Sequence, residues 1–346
     1  MEIKKIFFSI YKQLIFLLPP ETAHAVTLSM AEKIYKSFLK NIIASKITTN
    51  EKKVMGITFP NILGLAAGFD KNGDYLNFIN NIGLGFIEVG TVTPKPQYGN
   101  NKPRIFRVTN EEAIINHLGF NNKGVSYLKE KLRYFNRNIP IGVNIGKNSN
   151  TSIDKAYEDY EYCMHEIFEF SDYLTLNISS PNTLKLRDLH SKDYLNNFLK
   201  RIKMTHEKLA KKYKKHVPLL LKISPDISQE DLSNICNSIN HYDIDGVIAT
   251  NTTVDKSILK NKKFLNYSGG ISGKPLLEKS NKIIRVLKKF VGSDVAVIGC
   301  GGISSKETAL NKIESGSDLI QLYTGLVYSG ASLIQEITSL KKNKFT

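Results

Sequence analysis

Eight short apolar runs, spread between residues 63 and 325, leave few folds open to this chain. They cover residues 63–69, 86–93, 139–145, 173–179, 217–224, 246–252, 295–301 and 319–325, and each has Gly, Asn, Thr or Ser at or next to its end. The runs are continuously apolar rather than alternating. A strand of that kind is buried on both faces, which is the condition of a parallel strand covered by helices. Between them, segments such as 152–170, 228–240, 275–290 and 304–315 show helical spacing of apolar residues and start at Ser or Pro. Eight strand–helix units in succession predict an α/β fold, a (β/α)8 TIM barrel. An open doubly wound sheet is the alternative, weakened because no GxGxxG follows the first run.

The length of 346 residues suits one barrel with additions. Hydrophobic residues make up 41% and charged residues 23%, which excludes a disordered or collagen-like chain. Cys163, Cys236 and Cys300 lack CxxC spacing, so neither a zinc ribbon nor a disulfide framework is expected, and no metal. The net charge of +16 is mostly lysine; only seven of the 48 basic residues are arginine. Base-edge readout favours the arginine fork, so no nucleic-acid partner is expected, although a lysine-rich surface attracts anionic lipid.

Residues 1–20, MEIKKIFFSIYKQLIFLLPP, have three readings. Lys4 and Lys5 before an apolar stretch, with Ala23-His24-Ala25 beyond it, resemble a signal peptide; Lys12 and Gln13 interrupt that stretch. The segment is also an ordinary packed helix or an amphipathic helix on a membrane surface. Apolar residues recur at helical spacing again over 21–39, with Thr22 as a candidate cap. We read residues 1–40 as a helical segment of two short helices docking on a membrane, and residues 41–346 as the barrel.

Buried strands have no packing reason to end in amides, hydroxyls and ammonium groups. These do so repeatedly: Lys71, Thr91, Asn144, Asn177 with Ser180, Asn182 and Thr183, then Lys222, then Thr250, Asn251 and Thr252. Any single one is a plausible turn or cap residue. A barrel brings all of them to one rim. Amides there pair with the carbonyl and N–H edges of a flat heteroaromatic ligand, and Lys71 and Lys222 call for an anionic one. The last runs end GCGGIS and LYTGL, glycine-rich turns that suit a phosphate at the rim of strands seven and eight, with a helix beginning near Ser304 aimed at it. The long connections 94–120, 180–191 and 253–274 follow strands two, four and six and are expected to wall and cover the site.

Ten motifs in order, AAGFDKNG, EVGTVTPKPQ, KPRIFRV with NHLGFNNKG, VNIGKN, LNISSPNT, LKISPD, ATNTT, GGISGKPL, IGCGGI and LYTGL, resemble those of the dihydroorotate dehydrogenases. The apolar start followed by PETAH, and Ser180 where the soluble class carries Cys, resemble the quinone-dependent, membrane-associated class 2. The resemblance implies FMN as cofactor, held by Ala67, Gly68, Lys71, Thr91, Asn144, Asn177, Lys222, Thr250, Gly273, Gly302, Tyr323 and Thr324. It implies dihydroorotate bound by Lys71, by Asn116, His117, Leu118, Gly119 and Phe120, and by Asn177, Asn182, Asn251 and Thr252. Ser180 is the implied base for the C5 proton, with Thr183 and a water near Phe120 as our candidate relay. His24 and Arg107 are implied near a membrane quinone, and Tyr323 follows from the end of strand eight. The resemblance further implies a role in pyrimidine (UMP) synthesis, peripheral contact with membrane lipid at the cytoplasmic face of the inner membrane, and a monomer. Flavin barrels acting on dihydropyrimidines or 2-hydroxy acids use other bases and do not match LNISSPNT.

Overall fold

The computed structural model describes residues 2–183 and 186–340; the side chains of the first seven residues, Lys4 and Lys5 among them, lie outside that description. Eight parallel strands close a barrel. They are β1 (Leu63–Leu65), β2 (Phe86–Val92), β3 (Ile141–Ile145), β4 (Tyr173–Asn177), β5 (Leu219–Ile223), β6 (Gly246–Ala249), β7 (Ala296–Cys300) and β8 (Leu319–Leu322). Each strand pairs with the next and β8 pairs with β1, Ile320 opposite Leu63. The predicted TIM barrel is therefore the observed one. The strands themselves are shorter than the apolar runs, because the last residues of each run already belong to the rim.

Helices follow every strand. Their starts obey local chemistry: Ser228 caps the helix Gln229–His241 by accepting from the Asp231 amide at 3.0 Å. Ser305 and Thr308 cap each other at the start of Lys306–Glu314. The glycine turn before that helix, Gly301 and Gly302, faces the cavity.

Alternation along the strands sorts the core into two layers. Ile87, Val89, Val143 and Leu174 point outward and pack against the helices. Phe86, Tyr173, Leu220, Ile248 and Ile298 point inward. A hairpin, Lys52–Val54 with Ile57–Phe59, plugs the amino end of the barrel. Its Phe59 is fully buried and meets the Phe86 ring edge-on at 5.2 Å between centroids. With that end closed by apolar side chains, a ligand has only the carboxyl end to enter.

Two additions shape the carboxyl end. Strands Ile105–Val108 and Ala113–Asn116, from the connection after β2, join Gly270–Gly273, from the connection after β6, in an antiparallel sheet. The second addition is the amino-terminal pair α1 (Glu2–Ile15) and α2 (Pro20–Tyr35). The expected second helix, 21–39, thus starts one residue earlier and ends four earlier. Pro20 rather than Thr22 opens it, since proline's fixed φ suits the first turn and its missing N–H has no partner to lose there.

Candidate active site

One cavity of about 1030 Å³ runs from the carboxyl rim of the barrel to the space between α1 and α2. Its inner end is polar. Thr91, Asn177, Lys222, Thr250, Asn251 and Gln321 line it there. Its outer part is lined largely by apolar side chains, Phe8, Ile15, Leu28 and Ile34 among them.

The inner end rests on a hydrogen-bonded layer. Asn177 donates to the Thr91 hydroxyl at 2.9 Å and to the Asn144 carbonyl oxygen at 3.2 Å. Asn144 donates to Glu88 at 2.8 Å, and Gln321 donates to the other Glu88 oxygen at 2.8 Å. The Lys222 ammonium lies 3.7 Å from the same carboxylate. Glu88 was not singled out in the sequence, where it reads as one charged residue inside an apolar run. The only signal was that mismatch.

Around the rim, Asn251 donates to the Ser179 hydroxyl at 3.0 Å and to Asn177 at 3.3 Å. Asn182 donates to the side chain and backbone of Asn116 at 3.0 and 3.1 Å. The loops after β2, β4 and β6 therefore meet at one place. Ser180, on the loop after β4, is 5% exposed and lines the cavity.

Lys71 lines the cavity on the side of α2. Burial lowers its pKa to about 8, with Glu21 acting in the opposite sense. An ammonium so placed gains most from an anionic ligand. Its neighbour Asp70 is buried and raised to about 6 by that burial, even though it accepts from the amides of Asp74 and Tyr75 at 3.0 and 2.8 Å. His24 is lowered to about 4 by burial and then by Lys71. It is therefore neutral, and its Nε2–H donates to the Phe69 carbonyl at 2.8 Å. Arg107 donates to the carbonyls of Phe16 and Leu18 at 2.7 and 2.9 Å and so ties the added sheet to the turn between α1 and α2. Tyr323 reaches the Gly68 carbonyl at 3.4 Å, and burial pushes its hydroxyl up to about 12.

Most residues singled out in the sequence line this cavity: Ala67, Gly68, Lys71, Thr91, Asn177, Lys222, Thr250, Gly273, Gly302, Tyr323 and Thr324. Asn116, Leu118, Gly119, Phe120, Ser180, Asn182, Asn251, Thr252, His24 and Arg107 do so too. Asn144, His117 and Thr183 do not. Asn144 stands behind Thr91, and His117 sits outside against Asn182 at 3.2 Å. Among the described residues the buried Thr183 hydroxyl has no hydrogen-bond partner.

A flat heteroaromatic cofactor fits this inner end. The cavity is at the upper limit of ordinary ligand pockets, large enough for two ligands side by side. Its donors sit on one rim, and the Gln321 carbonyl oxygen, whose residue lines the cavity, is buried without a partner among the described residues. A group with N–H edges satisfies such an orphan.

Residues 49–343 match the family model described as dihydroorotate dehydrogenase. The chain belongs to the dihydroorotate dehydrogenase family. A dihydroorotate dehydrogenase (quinone) of Buchnera aphidicola is 47% identical over 96% of this chain and 98% of its own length. One from Legionella pneumophila is 45% identical over the same shares. Among solved structures, the ligand-free dihydroorotate dehydrogenase of Eimeria tenella superposes with a TM-score of 0.84 at 34% identity, over 92% of this chain and 93% of that one. The same enzyme in complex with ferulenol gives a TM-score of 0.82. The family is flavin-dependent, which agrees with the chemistry of the inner end.

Proposed function

We propose that this chain oxidises (S)-dihydroorotate to orotate in pyrimidine synthesis, with FMN as its flavin and a membrane quinone as final acceptor. The supporting observation is a single cavity: polar groups of a flavin and pyrimidine site at one end, an apolar passage between two helices at the other. FMN, when bound, supplies the acceptor for the hydride from C6 and a route for the electrons to quinone.

The chain's residues divide the remaining work. Lys222, Asn177, Thr91, Thr250 and Gln321 hold the flavin ring, with Asn144 supporting Thr91 from behind. Ala67, Gly68, Gly273, Gly302, Tyr323 and Thr324 complete the cofactor's enclosure. Lys71 pairs with the carboxylate of dihydroorotate, and Asn116, Asn177, Asn182, Asn251 and Thr252 meet its ring edges. Leu118, Gly119 and Phe120 exclude water from above, while His117 acts through Asn182. Ser180 takes the C5 proton. A serine hydroxyl is a weak base, so the proton must pass onward, and Thr183, whose buried hydroxyl has no partner among the described residues, is the relay we assign.

The quinone would enter between α1 and α2 and bring its head toward His24, Arg107 and Tyr323. Leu17 and Phe38 are 82% and 91% exposed at this end of the molecule, with Leu14 and Ile42 also in solvent. Such apolar side chains are suited to lipid. No described helix is long and apolar enough to cross a membrane. We assign the protein as peripheral, on the cytoplasmic face of the inner membrane, and active as a monomer.

Anaerobic mixing with dihydroorotate should bleach the flavin of the purified protein, and a quinone should restore it. Ser180→Ala should slow the bleaching at least about tenfold, or roughly 1.4 kcal/mol of barrier. Parental speed in that variant, or no bleaching in the parent, overturns the reading.

A further inference from the structure

Arg187 lies outside the cavity, yet it grips the two loops that carry the proposed chemistry. Its Nε donates to the Ser179 carbonyl at 3.2 Å, one residue before Ser180. One terminal nitrogen donates to the carbonyl of Thr252 at 3.1 Å. The other donates to the carboxylate of Asp226 at 3.1 Å. Three acceptors on three loops, after β4, β5 and β6, thus share one guanidinium.

Asp226 extends the grip. It accepts from the Val254 amide at 2.8 Å and from the Thr253 hydroxyl, and pairs with Lys279 at 2.7 Å. Lys279 in turn pairs with Asp255 at 3.0 Å. Burial raises the Asp226 pKa, but the bonds from Lys279, Thr253 and Val254 outweigh it and keep the carboxylate charged. Arg187 and Asp226 are 23% and 14% exposed, so solvent screens the cluster weakly.

On the cavity side the loop after β4 is joined to the loop after β6 by Asn251 to Ser179, and to the connection after β2 by Asn182 to Asn116. Ser180 therefore sits on a segment held from both faces. A hydroxyl acting as a base depends on its distance to the proton more than on its pKa, and a displacement of about 1 Å costs on the order of a hundredfold. A planar fork fixes three acceptors at set spacings; a lysine ammonium offers one point charge and cannot span them.

We infer that Arg187, braced by Asp226, is a positioning residue that sets Ser180 against the C5 proton while leaving the flavin side of the site untouched. The inference rests on the activity proposed above. It predicts a defect confined to one bond of the substrate.

The test uses full-length flavin-loaded protein carrying Arg187→Lys or, separately, Asp226→Asn, two changes that keep side-chain bulk. Flavin reduction is followed in single turnover with dihydroorotate deuterated at C5 or at C6. The expected result is reduction at least about tenfold slower, a larger C5 isotope effect, a C6 effect no larger than the parent's, and parental flavin content and quinone reoxidation. Reduction at parental speed, unchanged isotope effects, or equal losses in both half-reactions would overturn it. If dihydroorotate fails to reduce the parent's flavin, the activity itself is wrong rather than the positioning role.

Discussion

Glu88 is a fully buried carboxylate among inward-facing aromatic and aliphatic side chains of the barrel. It survives there because its two oxygens receive Asn144, Gln321, Tyr173 and Thr175, with the Lys222 ammonium alongside at 3.7 Å. Glu88→Ala removes the only anion paired with that buried ammonium among the described residues. Stranding one member of a buried pair costs about 3–5 kcal/mol, so the variant should lose stability of that order in urea unfolding. Glu88→Gln keeps an acceptor and should lose less. Equal stability in all three proteins would mean that Lys222 finds other solvation. The partners come from β3, β4, β5 and β8, which meet only once the barrel closes. That is why the sequence flagged Lys222 and Asn144 at the strand ends but not the residue that joins them. Thr183 shows the converse: the motif pointed to it, and its buried hydroxyl has no hydrogen-bond partner among the described residues.

Among the elements, the barrel strands were legible because burial on both faces writes itself as continuous apolarity. The antiparallel sheet over the rim was not. Its strands are four residues each, and Asn116 bonds to Gly270 across 154 positions of sequence. No local pattern encodes such a pairing. The helical spacing of residues 1–39 was readable, whereas the way it is fastened was not. Arg104, 6% exposed, donates to both oxygens of Glu21 at 2.6 and 3.1 Å and so binds the first turn of α2 to the connection after β2. Glu21→Ala leaves that guanidinium buried without its carboxylate and frees the start of α2. Stopped-flow measurement of the two half-reactions should then show flavin reoxidation by quinone slowed about tenfold, near 1.4 kcal/mol, with reduction by dihydroorotate close to parental. Loss of both together would mean that α2 supports the whole rim rather than the passage alone.

At the scale of the whole molecule, acid sensitivity follows from what the fold buries. His24 and His190 are each lowered from 6.5 to about 4, by burial first and then by Lys71 and Arg187 respectively. Between those values the unfolded chain takes up protons on both rings and the native protein does not. Stability is therefore complete above pH 6.5 and drains away as pH falls toward 4. Asp70 works the other way. Raised from 3.8 to about 6 by burial, it binds its proton in the native state first, which favours the fold as pH drops through that interval. Two histidines against one carboxyl, each histidine displaced at least as far, leave a net loss. The melting temperature should fall between pH 7 and pH 4.5 at constant ionic strength. His24→Gln keeps a donor for the Phe69 carbonyl but cannot titrate, so its melting curve should fall less steeply over the same interval. If parent and variant decline alike, the acid limb over this interval belongs to His190 and not to the histidine at the passage.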